Sequence, residues 1–154
     1  MSVLQQVGDL NELVNSHEKV IINVYRGSWC PFCRKYLKQL DIVFTGLLEE
    51  KCALYGVSVD FENVNDKLQQ SLDIRFPLIR DAGRVFRSEF NNPISTTHPK
   101  AKKAADGYFL QPAIYIYYKG ELKYQWQQNP KLLNLGGAVN RVSVDKVMAE
   151  AKKL

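Results

Sequence analysis

The chain has 154 residues, 45% of them hydrophobic and 24% charged, with a formal net charge of +5, a composition that suits one domain spanning 1–154 and needs no disulfide staples. No apolar run approaches the roughly 20 residues of a membrane span, and Met1-Ser2-Val3-Leu4-Gln5-Gln6 has no basic start followed by an apolar stretch, so neither a membrane nor a secretory signal is indicated. Apart from Lys100, Lys102 and Lys103 the basic residues are dispersed and no nucleic-acid motif accompanies them; the expectation is a cytoplasmic monomer or homodimer.

Val3 to Val7 reads as a short strand. Asp9, with Glu12 three residues on, has the pattern of a capping box, and Leu10, Leu13 and Val14 give a short helix its apolar face. Val20 to Tyr25 is a run rich in β-branched residues, the signature of a buried strand. Arg26-Gly27-Ser28 breaks it, and Pro31 suits the first turn of a helix, where its missing N–H is not needed. Cys33, Tyr36, Leu37, Leu40, Phe44, Leu47 and Leu48 then follow helical spacing, with Arg34, Lys35, Lys38 and Gln39 on the other side. Cys52 to Val59 is a second apolar strand, and Val64, Leu68 and Leu72 mark a helix. Phe76 to Ile79 is a short extended piece, Ala82 to Phe90 a further helix, and Asn91 to Leu110 a long loop with one helical turn near Lys100. Ala113 to Tyr118 and Leu122 to Gln127 form a hairpin about Lys119-Gly120. Ser143 caps a last helix carrying Val144, Val147, Met148 and Ala151 on one face. Alternating strands and helices imply parallel pairing at the start; with the hairpin, the fold class is α/β, a mixed central sheet with helices on both faces.

Three cysteines, Cys30, Cys33 and Cys52, fit one working pair and one bystander. Cys30 and Cys33 lie directly after a buried strand and open a helix, where free backbone N–H groups stabilise a thiolate. The spacing lets the sulfurs meet within one turn. Cys30, expected nearer solvent, is the attacking thiol in this reading and Cys33 the resolving one. A structural zinc needs four ligands, and only Cys52, His17 and His98 accompany the pair, none with a second paired spacing; no metal and no other cofactor is expected. Cys52 reads as a small core residue and His98 as an ordinary loop residue. Trp29 either shields the active sulfur or packs on the sheet. Pro112 stands at the first position of a strand, where proline is allowed.

Trp29-Cys30-Pro31-Phe32-Cys33 after a strand, Pro112 before Ala113 to Tyr118, and Lys119-Gly120-Glu121 together resemble the thioredoxin superfamily. Tyr25 to Cys33, Val57-Ser58-Val59-Asp60 and Phe76-Pro77-Leu78-Ile79-Arg80-Asp81 are similar to the peroxiredoxin-like branch of the alkyl hydroperoxide reductase/thiol-specific antioxidant family. The resemblance implies a thioredoxin-like fold with Pro112 as a cis-proline facing the dithiol, and Trp29, Pro31, Gln111 and Pro112 beside the substrate. It also implies redox chemistry on disulfides or peroxides, completed by an external thiol reductant such as thioredoxin or, by the likeness of Cys-Pro-Phe-Cys to glutaredoxin, glutathione. The chain departs from the peroxiredoxin signature Pro-x-x-x-Thr-x-x-Cys. Counted back from Cys33, Cys30 takes the Thr place and Arg26 the Pro place; counted back from Cys30, these are Gly27 and Asn23. The arginine that family carries at the start of the later strand is replaced by Gln111-Pro112-Ala113, with Arg26 as a candidate thiolate-stabilising cation. The first expectation is therefore a thiol–disulfide oxidoreductase; the alternatives are a thiol peroxidase with Cys33 or Cys30 peroxidatic, and a non-enzymatic redox sensor or adaptor that docks through 91–110.

Overall fold

A computed structural model describes residues 1–44, 51–129 and 141–154. Among these the elements are β1 (Val3–Leu4), α1 (Val7–Val14), β2 (Lys19–Val24), α2 (Pro31–Phe44), β3 (Cys52–Ser58), α3 (Glu62–Leu72), β4 (Leu78–Asp81), α4 (Val85–Phe90), β5 (Ile94–Ser95), α5 (Pro99–Lys102), β6 (Phe109–Leu110), β7 (Ala113–Tyr118), β8 (Glu121–Gln127) and α6 (Val144–Lys152). The main sheet runs β1-β4-β3-β2-β7-β8. β1, β4, β3 and β2 pair in parallel, and β7 and β8 are antiparallel, so the mixed sheet expected from the pattern is present. β5 and β6 form a separate ribbon.

β2 lies inside the sheet and is covered on both faces, with Val20, Ile22 and Val24 on one and Ile21, followed by Tyr25, on the other. Ile21 joins Tyr25, Leu37, Leu40, Phe44 and Val147 in one core cluster. Val20, Ile22 and Val24 join Leu10, Leu13, Phe86 and Tyr115 in the other. Helices α2 and α6 pack on the first face, α1 and α4 on the second. Leu37 and Leu40 are fully buried, each contributing about 1.5–3 kcal/mol from burial.

Several boundaries differ from the sequence expectation for local reasons. Asp9 is not the cap of α1. It sits one turn inside and accepts the N–H groups of Gln5 (2.8 Å) and Gln6 (3.1 Å), so the helix starts at Val7. The helix expected from Ala82 starts at Val85, because the buried Asp81 carboxylate accepts the N–H groups of Val85 and Phe86, both at 2.9 Å. Arg84 is left-handed, φ 55°, which no helix interior allows. The loop 91–110 carries the expected helical turn, α5, and in addition the ribbon β5–β6. The hairpin turns where expected: Lys119 and Gly120 both have positive φ, 52° and 80°, the geometry of a tight hairpin. The continuation of α2 through Leu47 and Leu48 lies outside the described residues. Among the described residues no helix is long and apolar enough to cross a membrane.

Candidate active site

The site is built at the junction of β2 and α2. After Val24, the Tyr25 N–H bonds Val57 O at 2.9 Å and keeps the chain tied to the sheet. The chain then turns: Cys30 N–H returns to Gly27 O at 3.2 Å, and Arg34 Nη1 donates to Ser28 O at 3.2 Å. Asp60, just beyond β3, accepts the Ser28 N–H at 2.7 Å. Gly27 is required by close approach, since a Cβ there would stand 2.3 Å from Trp29 Nε1. Pro31 opens α2 and is exposed.

Both cysteines are free thiols. Cys30 is the N-cap residue of α2. Its carbonyl accepts Arg34 N–H at 3.0 Å and its sulfur accepts Cys33 N–H at 3.3 Å, as cap side chains do. Cys33 Sγ receives the Arg26 backbone N–H at 3.4 Å and Arg141 Nη2 at 3.0 Å. Both sulfurs are nearly closed off from solvent, Cys30 at 1% and Cys33 at 0% exposure, and Cys30 is the less deeply buried of the two, as expected. Neither sulfur is open to solvent, so what distinguishes them is the set of groups around each. Burial alone would raise the Cys33 thiol, but the hydrogen bond from Cys30, the charge and N–H of Arg141 and the Arg26 amide outweigh it and pull it down to about 6. Cys30 is pushed well up by its hydrogen bond to Cys33, by burial and by the neighbouring thiolate charge. The two sulfurs share their ionisation as a pair, and the Arg141 and Arg26 donors favour the negative charge at Cys33.

The remaining expected residues fall in different places. The Arg26 side chain is 4% exposed and lies between the rings of Trp29 and Phe109, 4.9 Å from each centroid. Its charge acts on Cys30, lowering that thiol against larger opposing effects, while its backbone serves Cys33. Trp29 packs against the core cluster that holds Cys30 and Cys33, stacked on His98 at 5.1 Å and tilted against Phe109 at 5.1 Å. Gln111 and Pro112 are buried, and the peptide bond between them is trans, not cis. The physical reason lies in the flanking ladder: Gln111 N–H bonds Pro93 O at 2.8 Å and Pro112 O accepts Gln128 N–H at 2.9 Å, so the chain passes extended from β6 into β7. Trans is also the favoured isomer by about 0.5–1 kcal/mol. Cys52 is half-buried at the start of β3, and burial raises its thiol against the opposing charge of Lys19.

Three residues beyond the sequence reading complete the site. Arg141 supplies the cation missing from position 111, from the far end of the chain; no local pattern marks it, and only the vacancy at Gln111 could have prompted a search. Tyr36, read as core, lies beneath the Arg141 guanidinium, 5.1 Å from ring centroid to Cζ. His98, read as an ordinary loop residue, covers Trp29. Its Nδ1 accepts Lys100 N–H at 3.0 Å, which places the proton of the neutral ring on Nε2. Burial, Arg26 and Lys100 all lower its pKa. A groove of about 520 Å³ between α2 and α6 is bordered by Phe32, Tyr36 and Arg141.

The family profile described as "AhpC/TSA family" matches residues 5–125. No curated protein matches the chain closely enough to serve as a relative by sequence. Among solved structures, the bacterioferritin comigratory protein of Xanthomonas campestris is 17% identical with a TM-score of 0.65, over 91% of this chain and 81% of that one. AhpC of Enterococcus faecalis is 14% identical with a TM-score of 0.67, over 88% and 74%. A peroxiredoxin-like protein of Aquifex aeolicus is 18% identical with a TM-score of 0.66, over 88% and 71%. At these identities the structures speak for a shared fold, and the profile, which spans most of the sequence, speaks for the family. The chain therefore belongs to the AhpC/TSA family of thioredoxin-fold, thiol-dependent oxidoreductases.

Proposed function

We propose that this protein is a two-cysteine thiol peroxidase in which Cys33 takes the peroxide oxygen and Cys30 resolves the product. The observation that carries this is the Cys33 sulfur, which holds both the Arg141 guanidinium and the Arg26 amide. A thiolate there is available at neutral pH, and the guanidinium that stabilises it also faces the oxygen that must leave with negative charge. The Cys33 thiolate attacks one peroxide oxygen; the O–O bond breaks, the other oxygen leaves as alkoxide (hydroxide from hydrogen peroxide) and takes up a proton, and Cys33 becomes a sulfenic acid. Cys30 thiol then displaces water from that sulfur, forming the Cys30–Cys33 disulfide. An external dithiol of the thioredoxin class, or two molecules of glutathione, restores both thiols. The solved Xanthomonas campestris protein is described by its alkyl peroxide reduction activity, which supports organic hydroperoxides as well as hydrogen peroxide as substrates here. Pro31 and Phe32, between the two cysteines, are both exposed.

A second reading keeps Cys30 as the nucleophile in disulfide exchange. It is favoured by the position of its sulfur at the N-terminus of α2, on the Cys33 N–H. Stopped-flow mixing of reduced protein with hydrogen peroxide or an organic hydroperoxide, followed by tryptophan emission, separates the two. The peroxidase reading expects fast oxidation that survives Cys30→Ser and is lost in Cys33→Ser. Slow oxidation by every peroxide, with rapid reduction of a protein disulfide that depends on Cys30, would favour the exchange reading instead.

A further inference from the structure

Tyr36 stands one turn after Cys33 on α2, so the two side chains share a face. Both are buried, at 7% and 0% exposure. Arg141 comes to Cys33 from 108 residues away in sequence, just ahead of the Ser143 cap of α6. Two contacts of Tyr36 bear on this approach. Its hydroxyl donates to the carbonyl of Val142 at 2.7 Å, which fixes the backbone beside the residue from which the guanidinium departs. Its ring lies under that guanidinium at 5.1 Å, a cation–π geometry. Burial raises the phenol well above its ordinary value, against the opposing charge of Arg141, so it stays a neutral donor throughout the working range.

We propose that Tyr36 is a positioning residue for the dithiol, seating Arg141 against the Cys33 sulfur by holding both its backbone and its guanidinium. The inference rests on the reading of Cys33 as the first thiolate. An arginine has many rotamers, and an unheld guanidinium at this groove has other places to go. Asp145 borders the same groove as an opposite charge and Lys35 as a like charge. From the sheet side Tyr25 faces Cys33, but it is a neutral phenol and supplies no cation. Cys30 donates to Cys33 irrespective of Tyr36. The contribution that Tyr36 controls is therefore that of Arg141, and removing Tyr36 should have the same consequence for Cys33 as removing Arg141.

The test is a ¹³Cβ cysteine NMR titration of the reduced full chain, which reads each sulfur separately and needs no reagent to enter the site. Wild type is compared with Tyr36→Phe, Tyr36→Leu, Arg141→Gln and the double variant Tyr36→Leu/Arg141→Gln. The expected result is a Cys33 midpoint near 6 in wild type, a partial rise in Tyr36→Phe, and a rise of about one pH unit, or tenfold in the ionisation constant, in Tyr36→Leu. The double variant should match Arg141→Gln alone, because Tyr36 acts through Arg141. A Tyr36→Leu midpoint equal to wild type, or a double variant that shifts by the sum of the single ones, would overturn the proposal. Should Tyr36→Leu lose its fold, seen as collapse of the amide spectrum, Tyr36→Phe keeps the ring volume, and an unshifted Cys33 there would overturn the role of the hydroxyl. A wild-type chain in which Cys30 titrates first would instead remove the reading beneath the inference.

Discussion

The dithiol is flanked by two structures that treat it differently. On the α6 side, Arg141 and Tyr36 bring a guanidinium into direct contact with one sulfur. On the side of the 91–110 loop, Trp29, His98 and Phe109 enclose a second guanidinium, that of Arg26, within aromatic rings. The first arrangement supplies charge to Cys33; the second supplies cover, with a cation aimed at rings and acting on Cys30 only through space. Two arginines near a thiol are thus not equivalent: one is a ligand of the sulfur and the other a structural filling of the loop. In a chain without the peroxiredoxin threonine and arginine, Arg141 is the cation placed to favour a thiolate at Cys33. The contrast also shows that Arg26, the cation singled out from the sequence, is not the one that contacts sulfur through its side chain.

The comparison breaks most sharply at the sulfurs. Cys33→Ser should lower the rate of peroxide oxidation by about three orders of magnitude or more, as loss of a nucleophile does, whereas Cys30→Ser should leave the first oxidation fast and block only disulfide formation; rapid mixing with mass analysis of the products reads both. Arg141→Gln should slow oxidation by about a hundredfold, and Arg26→Gln by much less, when second-order rate constants are compared at pH 7. The pH profile sharpens the same point. The Cys33 pKa is depressed to about 6, so the wild-type rate should rise with pH up to that value and level off above it. In Arg141→Gln the rise should move to higher pH, which rate constants measured in a series of buffers would show. On the covering side, His98→Ala removes the cap of α5 and the ring over Trp29. It should cost about 1 kcal/mol of stability, read as a small drop in Tm, and shift Trp29 emission while changing the peroxide rate only a few-fold. Smallest of all, Cys52→Ser should leave turnover unchanged, since Cys52 begins β3 and touches neither side.

Most of the architecture was legible because periodicity carries it. The β-branched run of β2, the apolar stripe of α2 and the Lys119-Gly120 turn are each set by residues close in sequence. The strand-to-helix placement of Cys30 and Cys33 was legible for the same reason. What sequence reading missed depends on contacts between distant parts. That both sulfurs are almost wholly buried depends on how the rest of the fold packs around them. The isomer at Pro112 is set by backbone bonds from Pro93 and Gln128. Arg141 and His98 acquire roles only once α6 and the 91–110 loop close over the dithiol; neither carries a local signal, because a basic residue before a helix cap and a histidine before a proline are ordinary.

The central claim is that Cys33, not Cys30, is the sulfur that meets the oxidant. The most direct measurement is a single turnover of the Cys30→Ser and Cys33→Ser variants with one equivalent of peroxide, quenched with a sulfenic-acid trap and mapped by mass spectrometry. Serine at position 30 keeps a capping acceptor for Cys33 N–H, so the site should survive the change. The structure predicts a trapped sulfenic acid on Cys33 at near-wild-type speed in Cys30→Ser, and no trapping in Cys33→Ser. Rapid trapping on Cys30 in the Cys33→Ser variant, with Cys33 inert in the other, would contradict the account and return the attacking role to the first cysteine of the pair.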